Sequence, residues 1–270
     1  SGRSTDFISP SFGHGCLFNC NYCYLKRNKP TGLSIAKNTD QILTEINNHS
    51  MFAEVEKPNQ THPEFITYDL SCNEDFSLHA KYHDWKFIFS FFKNHPTAMG
   101  SLATKYVNKT FLDFNPNKKI RIRFSLMPQK YSSILEPKTS LIINRIKAID
   151  TFIAAGYDVH INFSPVIVVK NWLIEYEKLF LLINKHVQSK SNVKAEVIFL
   201  THNIEKHQYN LDNNLPGEGL IWNPKIQESK TSQYGGKNLR YMRNKKAKYC
   251  NQFLELRNKL LPWCEIRYIF

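Results

Sequence analysis

The pattern of apolar and polar residues along this 270-residue chain predicts strands and helices in regular succession. Between Lys119 and Ser125, basic and apolar residues alternate with the two-residue period of a strand. Short apolar runs with the length of buried strands occur at residues 6–12, 65–70, 100–105, 159–169 and 194–200.

Helical spacing appears between these runs. It is clearest at Ile142, Ile146, Ile149 and Ile153, which precede Gly156 at a position where a glycine commonly ends a helix. Weaker helical patterns begin near Asp40 and cover residues 82–93, 171–188 and 245–260.

Strands and helices therefore alternate about six times, which favours an α/β fold with a parallel sheet and covering helices, either open or curled as a partial barrel. The pattern breaks after Thr201-His202, where residues 203–243 are polar and rich in glycine. A last helix and a strand at residues 264–270 follow. We predict a barrel unit at 1–202 and an extension at 203–270, packed together on one domain.

Three of the six cysteines lie in one short loop, Cys16, Cys20 and Cys23, spaced C-x3-C-x2-C. A [4Fe–4S] cluster normally takes four thiolates, so three closely set ones leave one iron open to an exogenous chelate. A structural zinc site could use His14 as its fourth ligand, but no second cysteine pair follows. A disulfide framework fits poorly, because the remaining cysteines are scattered over a large chain.

The chain carries a formal net charge of +13, which suits a polyanionic partner or, equally, a solvated basic surface. No apolar run approaches the roughly 18 residues of a membrane span, and the first residues show no signal-peptide pattern. Since an iron–sulfur cluster and the absence of a disulfide pattern suit a reducing compartment, we expect a cytoplasmic protein with no membrane partner.

The ordered motifs resemble the spore photoproduct lyase family, radical S-adenosylmethionine (radical SAM) enzymes that repair an ultraviolet thymine dimer in DNA. The likeness runs nearly end to end and implies a partial (β/α)6 TIM-type barrel with a C-terminal hairpin and helix extension. It rests on Tyr22-Cys23-Tyr24, Cys72 with Asp75, Arg123-Phe124-Ser125, Glu136-Pro137, Thr139-Ser140, Arg145, Thr201-His202 and Tyr234-Gly235.

The resemblance also implies two cofactors, a [4Fe–4S] cluster and S-adenosylmethionine. The cluster would be held by Cys16, Cys20 and Cys23. Contacts to S-adenosylmethionine are implied for Tyr22, Asn73, Lys105 and Ser125.

Further roles implied by the resemblance concern the substrate. Cys72 matches the thiol that gives a hydrogen atom to the repaired thymine, and Tyr22 and Tyr24 match tyrosines that return this hydrogen to 5′-deoxyadenosine. Substrate DNA would meet a hairpin at Gln233, Tyr234 and Lys237, with Tyr234 as a wedge beside the lesion.

The expected partners are UV-damaged DNA and an electron donor such as flavodoxin or ferredoxin, and the expected state is a monomer. Two positions depart from the family pattern: Gln233 stands where the family has Arg, and Glu74 stands where it has Ser.

Alternative hypotheses are a radical SAM enzyme of this lineage acting on RNA, a peptide or a nucleoside, and a nucleic-acid-binding protein with a structural metal. We expect ordinary hydrogen-bonded roles for His14, His160 and His202.

Overall fold

A computed structural model describes residues 3–23, 25, 32–52, 57–231 and 237–270. The predicted site residues Tyr24, Gln233 and Tyr234 lie outside the described residues. No helix within the described ranges is long and apolar enough to cross a membrane.

The strands of the described chain are short at its start and longer in its middle. In order they are β1 (Phe7–Ile8), β2 (Gly13–His14), β3 (Ser34–Ile35), β4 (Ile66–Asp69), β5 (Ala98–Thr104), β6 (Ile120–Ser125), β7 (Asp158–Val166), β8 (Lys194–Phe199), β9 (Thr201–Asn203), β10 (Gln227–Thr231), β11 (Lys237–Tyr241) and β12 (Ile266–Ile269).

Helices separate these strands. They are α1 (Thr39–Phe52), α2 (Phe76–His79), α3 (Trp85–Asn94), α4 (Gln129–Leu135), α5 (Ile142–Ala154), α6 (Trp172–His186), α7 (Ile204–Asp212), α8 (Glu218–Ile221) and α9 (Arg243–Leu260). Short 3-10 turns occupy Ala80–Tyr82, Lys109–Asp113 and Lys190–Asn192.

The main sheet has seven parallel strands in the order β1-β4-β5-β6-β7-β8-β12, curled as a half-barrel. Parallel strands need crossover connections, and helices supply most of them here. The predicted α/β partial barrel is therefore confirmed. Two small antiparallel sheets, β10-β11-β9 and β2-β3, complete the described strands.

Strand β6 shows how the sheet separates an apolar outside from a polar inside. Its residues Ile120, Ile122 and Phe124 are buried in the apolar core, and the Phe124 ring meets Phe152 of α5. The alternate residue Arg123 is also buried and pairs with Asp69 at 2.7 Å. Because Asp69 belongs to β4, two strands away from β6, this ion pair crosses the inside of the curl.

The C-terminal residues contribute to both the main sheet and the small one. Strand β12 pairs in parallel with β8, and helix α9 packs Phe253 against Phe180 of α6, with ring centroids 5.3 Å apart. Strands β10 and β11 form a hairpin whose second arm pairs with β9. Hydrophobic periodicity did not predict α7 and α8. The division at residue 202 stays a prediction.

Candidate active site

The described residues predicted for the cluster, for S-adenosylmethionine and for hydrogen donation lie at one edge of the main sheet. The cysteine loop follows β1 and β2, Cys72 lies in the turn after β4, Lys105 directly follows β5, and Ser125 ends β6. The carboxyl ends of parallel strands share one edge, where α/β proteins place their active sites. The alternation of strands and helices thus brings together residues that are more than 100 positions apart in the chain.

The three loop cysteines are buried or partly buried. Cys20 is buried, Cys16 and Cys23 are partly buried, and the backbone N–H of Cys23 donates to the carbonyl of Cys20 at 3.1 Å. Burial raises the pKa of Cys16 to about 11 and holds the pKa of Cys20 well above its usual range. The bare thiols of Cys16 and Cys20 are therefore protonated at neutral pH, and a bound metal would displace those protons.

The arrangement of the three cysteines bears on which metal group they can hold. A tetrahedral zinc ion with Zn–S bonds of about 2.3 Å would hold its sulfurs roughly 3.8 Å apart. Within the described residues, the three cysteines do not form a group whose ligand atoms all lie within 4.8 Å. Three closely set thiolates suit three corners of an iron–sulfur cubane.

A buried carboxylate, Glu136, connects the cysteine loop to the end of β5. The hydroxyl of Tyr22 donates a short hydrogen bond to Oε1 of Glu136, and the Lys105 ammonium lies 4.0 Å from the same oxygen. Burial and the Glu136 charge hold the pKa of Tyr22 well above its usual range. Desolvation opposes the charge of Lys105, but the Glu136 carboxylate outweighs it and raises the pKa of Lys105. Tyr22 therefore stays a neutral phenol beside a fixed cation.

Arg145 holds this carboxylate from the other side and also fixes the end of β6. Its Nη1 lies 3.1 Å from Oε2 of Glu136 and donates to the carbonyl of Ser125 at 2.8 Å. Its other nitrogens donate to the carbonyl of Ser140 and to the hydroxyl of Thr139. The Ser125 hydroxyl, itself buried, faces the amide of Asn162 at 3.5 Å. One fully buried arginine thus positions both Glu136 and the end of β6, which carries Ser125.

The turn that carries Cys72 is tied to its neighbours by the residues that follow it. The carbonyl of Asn73 accepts from the backbone N–H of Gly15 at 3.0 Å, which joins this turn to the cysteine loop. The Asp75 carboxylate accepts from the backbone N–H of Lys105 at 2.9 Å and from the hydroxyl of Thr104 at 2.7 Å. Three strand ends are therefore linked by side-chain and backbone hydrogen bonds.

Glu74 adds a second link between the Cys72 turn and the cysteine loop. Its Oε2 accepts from Nδ1 of His79 at 2.9 Å and from Nε2 of His83 at 3.0 Å. The other ring nitrogen of His79 accepts from the backbone N–H of Leu17 at 3.2 Å. Burial opposes the Glu74 charge, but the two histidines outweigh it and lower the pKa of Glu74.

Of the three residues predicted at the hairpin, Lys237 is the one that the structure describes. Lys237 is exposed at the start of β11, in the small three-stranded sheet, and the tip of the hairpin lies outside the described residues. Glu136, Arg145, Glu74 and His79 were not predicted as site residues. Glu136 and Arg145 were present in the motifs that suggested the family, but no spacing in the sequence indicated that they meet.

A sequence model of the family described as spore photoproduct lyase matches residues 1–270. The spore photoproduct lyase of Bacillus subtilis (strain 168) is 27% identical over 185 residues, covering 67% of this chain and 51% of that protein. The spore photoproduct lyase of Geobacillus sp. (strain Y412MC61) is 26% identical over 183 residues, with the same coverage. The chain thus spans about half the length of the curated relatives it matches.

Solved structures share the fold. A spore photoproduct lyase complexed with dinucleoside spore photoproduct aligns with a TM-score of 0.87 at 20% identity, covering 100% of this chain and 78% of that one. A mutant of spore photoproduct lyase with bound AdoMet and dinucleoside spore photoproduct gives a TM-score of 0.85, also at 20% identity, over 97% of this chain and 76% of that one.

Proposed function

The chain belongs to the spore photoproduct lyase family, and we propose that it is a radical SAM lyase that converts the spore photoproduct, a UV thymine dimer in DNA, back to two thymines. One observation carries the proposal most directly. The cysteine loop, Cys72, Lys105 and Ser125 lie together at the carboxyl ends of parallel strands, where such a reaction needs its cofactors and its hydrogen donor side by side.

Cys16, Cys20 and Cys23 would hold the [4Fe–4S] cluster through three irons. When bound together with S-adenosylmethionine, it supplies a 5′-deoxyadenosyl radical. The chain's own residues would bind and orient S-adenosylmethionine. Lys105 would offer a partly buried cation to the carboxylate of S-adenosylmethionine, Ser125 would offer a hydroxyl to the ribose, and Tyr22 and Asn73 would line the same site.

Cys72 would end the repair by giving a hydrogen atom to the thymine radical. The S–H bond breaks, a C–H bond forms on the thymine methyl carbon, and a sulfur radical remains on Cys72. Tyr22 and Tyr24 would return a hydrogen atom to that sulfur and recover their own from 5′-deoxyadenosine. The neutral phenol of Tyr22, held on Glu136, suits this role because its O–H hydrogen is retained at neutral pH.

Damaged DNA would bind at the hairpin of β10 and β11. Lys237 is exposed on it, and Gln233 and Tyr234 lie in the sequence between its two strands. The net charge of +13 favours binding to the phosphate backbone. The dimer must leave the base stack, at a cost of a few kcal/mol that is smaller for a damaged base. A low-potential donor such as flavodoxin or ferredoxin would reduce the cluster of a monomeric, cytoplasmic enzyme.

A second candidate is a radical SAM enzyme of this lineage that acts on RNA, a peptide or a nucleoside. Gln233 favours it, because an uncharged residue stands where the family pattern has a cation. It would share the cofactor site described above and differ only in the surface that binds substrate.

The test is anaerobic incubation of the reconstituted protein with dinucleoside spore photoproduct, S-adenosylmethionine and dithionite. We expect 5′-deoxyadenosine and a dinucleotide with two intact thymines. 5′-Deoxyadenosine without thymine repair would favour the second candidate. Absence of both, in protein that has taken up the cluster, would contradict both candidates.

Cys72→Ala then tests the hydrogen donor. This variant should still form 5′-deoxyadenosine and still open the dimer, but its product should shift from thymine to adducts, as measured by mass spectrometry. The control is Cys250→Ala, which removes a partly buried thiol on α9 and should leave the product unchanged. Clean thymine at the parent's yield from Cys72→Ala would remove Cys72 from the mechanism.

A further inference from the structure

Two histidines and a glutamate converge on one point outside the candidate active site. Nε2 of His202, Nδ1 of His207 and a carboxylate oxygen of Glu218 all lie within 4.8 Å of one another. Their side chains are 0%, 14% and 10% exposed. Within the described part of the chain, no other set of three or more His, Cys, Asp or Glu side chains converges so closely.

We propose that His202, His207 and Glu218 bind a divalent transition-metal ion of the zinc class. Two imidazoles and one carboxylate are a common protein donor set for zinc, with a fourth position left to water. Zinc bonds of about 2.0–2.2 Å would place neighbouring ligand atoms roughly 3.3–3.5 Å apart. Nε2 of His202 lies 3.0 Å from Oε1 of Glu218 and Nδ1 of His207 lies closer still, so both rings would move outward to admit the ion.

The charge balance also suits a cation. Burial opposes the Glu218 charge, but the histidines and Asn210 that hydrogen-bond to it outweigh this effect, so the pKa of Glu218 is lowered and its carboxylate is ionised. Each histidine directs one nitrogen at the same carboxylate oxygen, Oε1. In the metal-free protein these nitrogens must carry hydrogens to donate to Glu218, and a metal ion would replace both hydrogens with ligand bonds.

The surrounding structure holds the three ligands in place. His202 lies on β9 and pairs with Leu239 of β11, while the His207 ring packs against Trp222 with centroids 5.3 Å apart. The amide of Asn210 donates to Oε2 of Glu218 at 2.6 Å. An outer hydrogen bond of this kind fixes a ligating carboxylate in protein metal sites.

The location gives such an ion a structural consequence. The Asn210 amide also donates to the carbonyl of Asn21 at 2.9 Å, and the Asn21 amide donates in turn to the carbonyl of Pro216. Asn21 lies between Cys20 and Tyr22 in the cysteine loop. An ion that joins β9, α7 and α8 would therefore stabilise the residues that hydrogen-bond to the cysteine loop at Asn21.

The test must separate this site from the cysteine loop. In a Cys16→Ala/Cys20→Ala/Cys23→Ala variant the loop thiols are gone, so we would titrate chelator-treated protein with Zn²⁺ against a chromophoric competitor. We expect about one zinc per chain with a dissociation constant in the micromolar range or tighter. Adding His207→Ala should weaken binding at least tenfold, whereas His186→Ala, on α6, should leave it unchanged.

Two further measurements guard against a misfolded variant. Glu218→Gln keeps the shape and hydrogen-bonding capacity of the side chain and should also weaken zinc binding, with an unchanged circular dichroism spectrum. Co²⁺ in place of Zn²⁺ should give ligand-field absorption without thiolate charge-transfer bands. Zinc affinity weaker than millimolar, or equal affinity in the folded Glu218→Gln variant, would show that the three residues form a hydrogen-bonded cluster only and would overturn the proposal.

Discussion

Replacing Glu136 by Gln tests how far the candidate site depends on one buried ion pair. The Glu136 and Arg145 side chains are both fully buried, with Nη1 of Arg145 3.1 Å from Oε2 of Glu136. In Glu136→Gln the arginine charge stays in the interior without its anion. Removing one partner of a buried pair costs about 3–5 kcal/mol, because the remaining charge is uncompensated.

The size of the effect follows from which contacts the new amide can keep. Its carbonyl could still accept one hydrogen bond, from Ser132 or Tyr22, but its NH2 group would face a donor on the other side. We therefore expect a loss near the lower limit, about 3 kcal/mol. For a chain of this length that corresponds to a fall in Tm of roughly 6–12 °C. Such a loss is a large fraction of the roughly 5–15 kcal/mol typical of folded domains.

The assay is urea unfolding of the cluster-free protein under reducing conditions, followed by circular dichroism. The control is Glu265→Gln, which removes one partner of an exposed ion pair. In that pair the Lys194 side chain is 49% exposed and the Glu265 side chain is 63% exposed. An exposed pair should cost less than about 1 kcal/mol. If Glu136→Gln costs no more than this control, the assignment of a structural ion pair beneath the site is wrong.

Three further predictions concern the cluster, DNA and acid stability. After anaerobic reconstitution the parent protein should hold about four iron atoms per chain, and the Cys20→Ala variant should lose both the iron and the colour. Stoichiometric zinc without iron in the parent protein would contradict this prediction. Duplex affinity should fall steeply with salt, and Tyr234→Ala should reduce lesion preference more than general binding, measured by titration of damaged and undamaged duplexes. Burial lowers the pKa of His160 to about 4. The folded state therefore binds fewer protons than the unfolded chain over this range. As a result, the free energy of unfolding falls as pH drops from about 6.5 to about 4. His160→Gln should shrink the loss between pH 7 and pH 5 by about 2 kcal/mol in urea unfolding, and an unchanged loss would rule out His160 as its source.

Strand β6 shows what the sequence could and could not predict about the fold. The alternation from Lys119 to Ser125 correctly predicted a strand. It did not indicate that the basic residues would be buried, since a charged residue is rarely buried without a partner. Those partners, Asp158 for Arg121 and Asp69 for Arg123, lie 37 and 54 residues away in the chain. Hydrophobic periodicity carries no information about such distant pairs.

The polar segment after Thr201 shows the opposite limit. Helix α7 has a weak apolar pattern because its buried positions are Lys206 and Asn210, which are polar. Its packing rests on hydrogen bonds, including those from Asn210 to Glu218 and Asn21. A method that looks for an apolar stripe cannot detect a helix whose inner face is polar.

Cysteine spacing and the ordered motifs indicated which residue types serve the candidate site, but the contacts that position them had to come from the structure. Tyr22 and Glu136 are 114 residues apart, and nothing in the sequence shows that the phenol and the carboxylate meet. The same holds for Glu218, which is 16 residues from His202 and matches no common metal-binding motif.

The contacts of Glu74 show what its departure from the family pattern does in this structure. Glu74 is buried, and its carboxylate joins His79 and His83, of which His79 reaches the backbone of Leu17 in the cysteine loop. The shorter serine of the family pattern could not accept from both rings at these positions. The substitution therefore bears on how the cysteine loop is held against the Cys72 turn. It gives no reason by itself to infer a different substrate, so of the two departures only Gln233, which the sequence places between β10 and β11, still bears on what this protein binds.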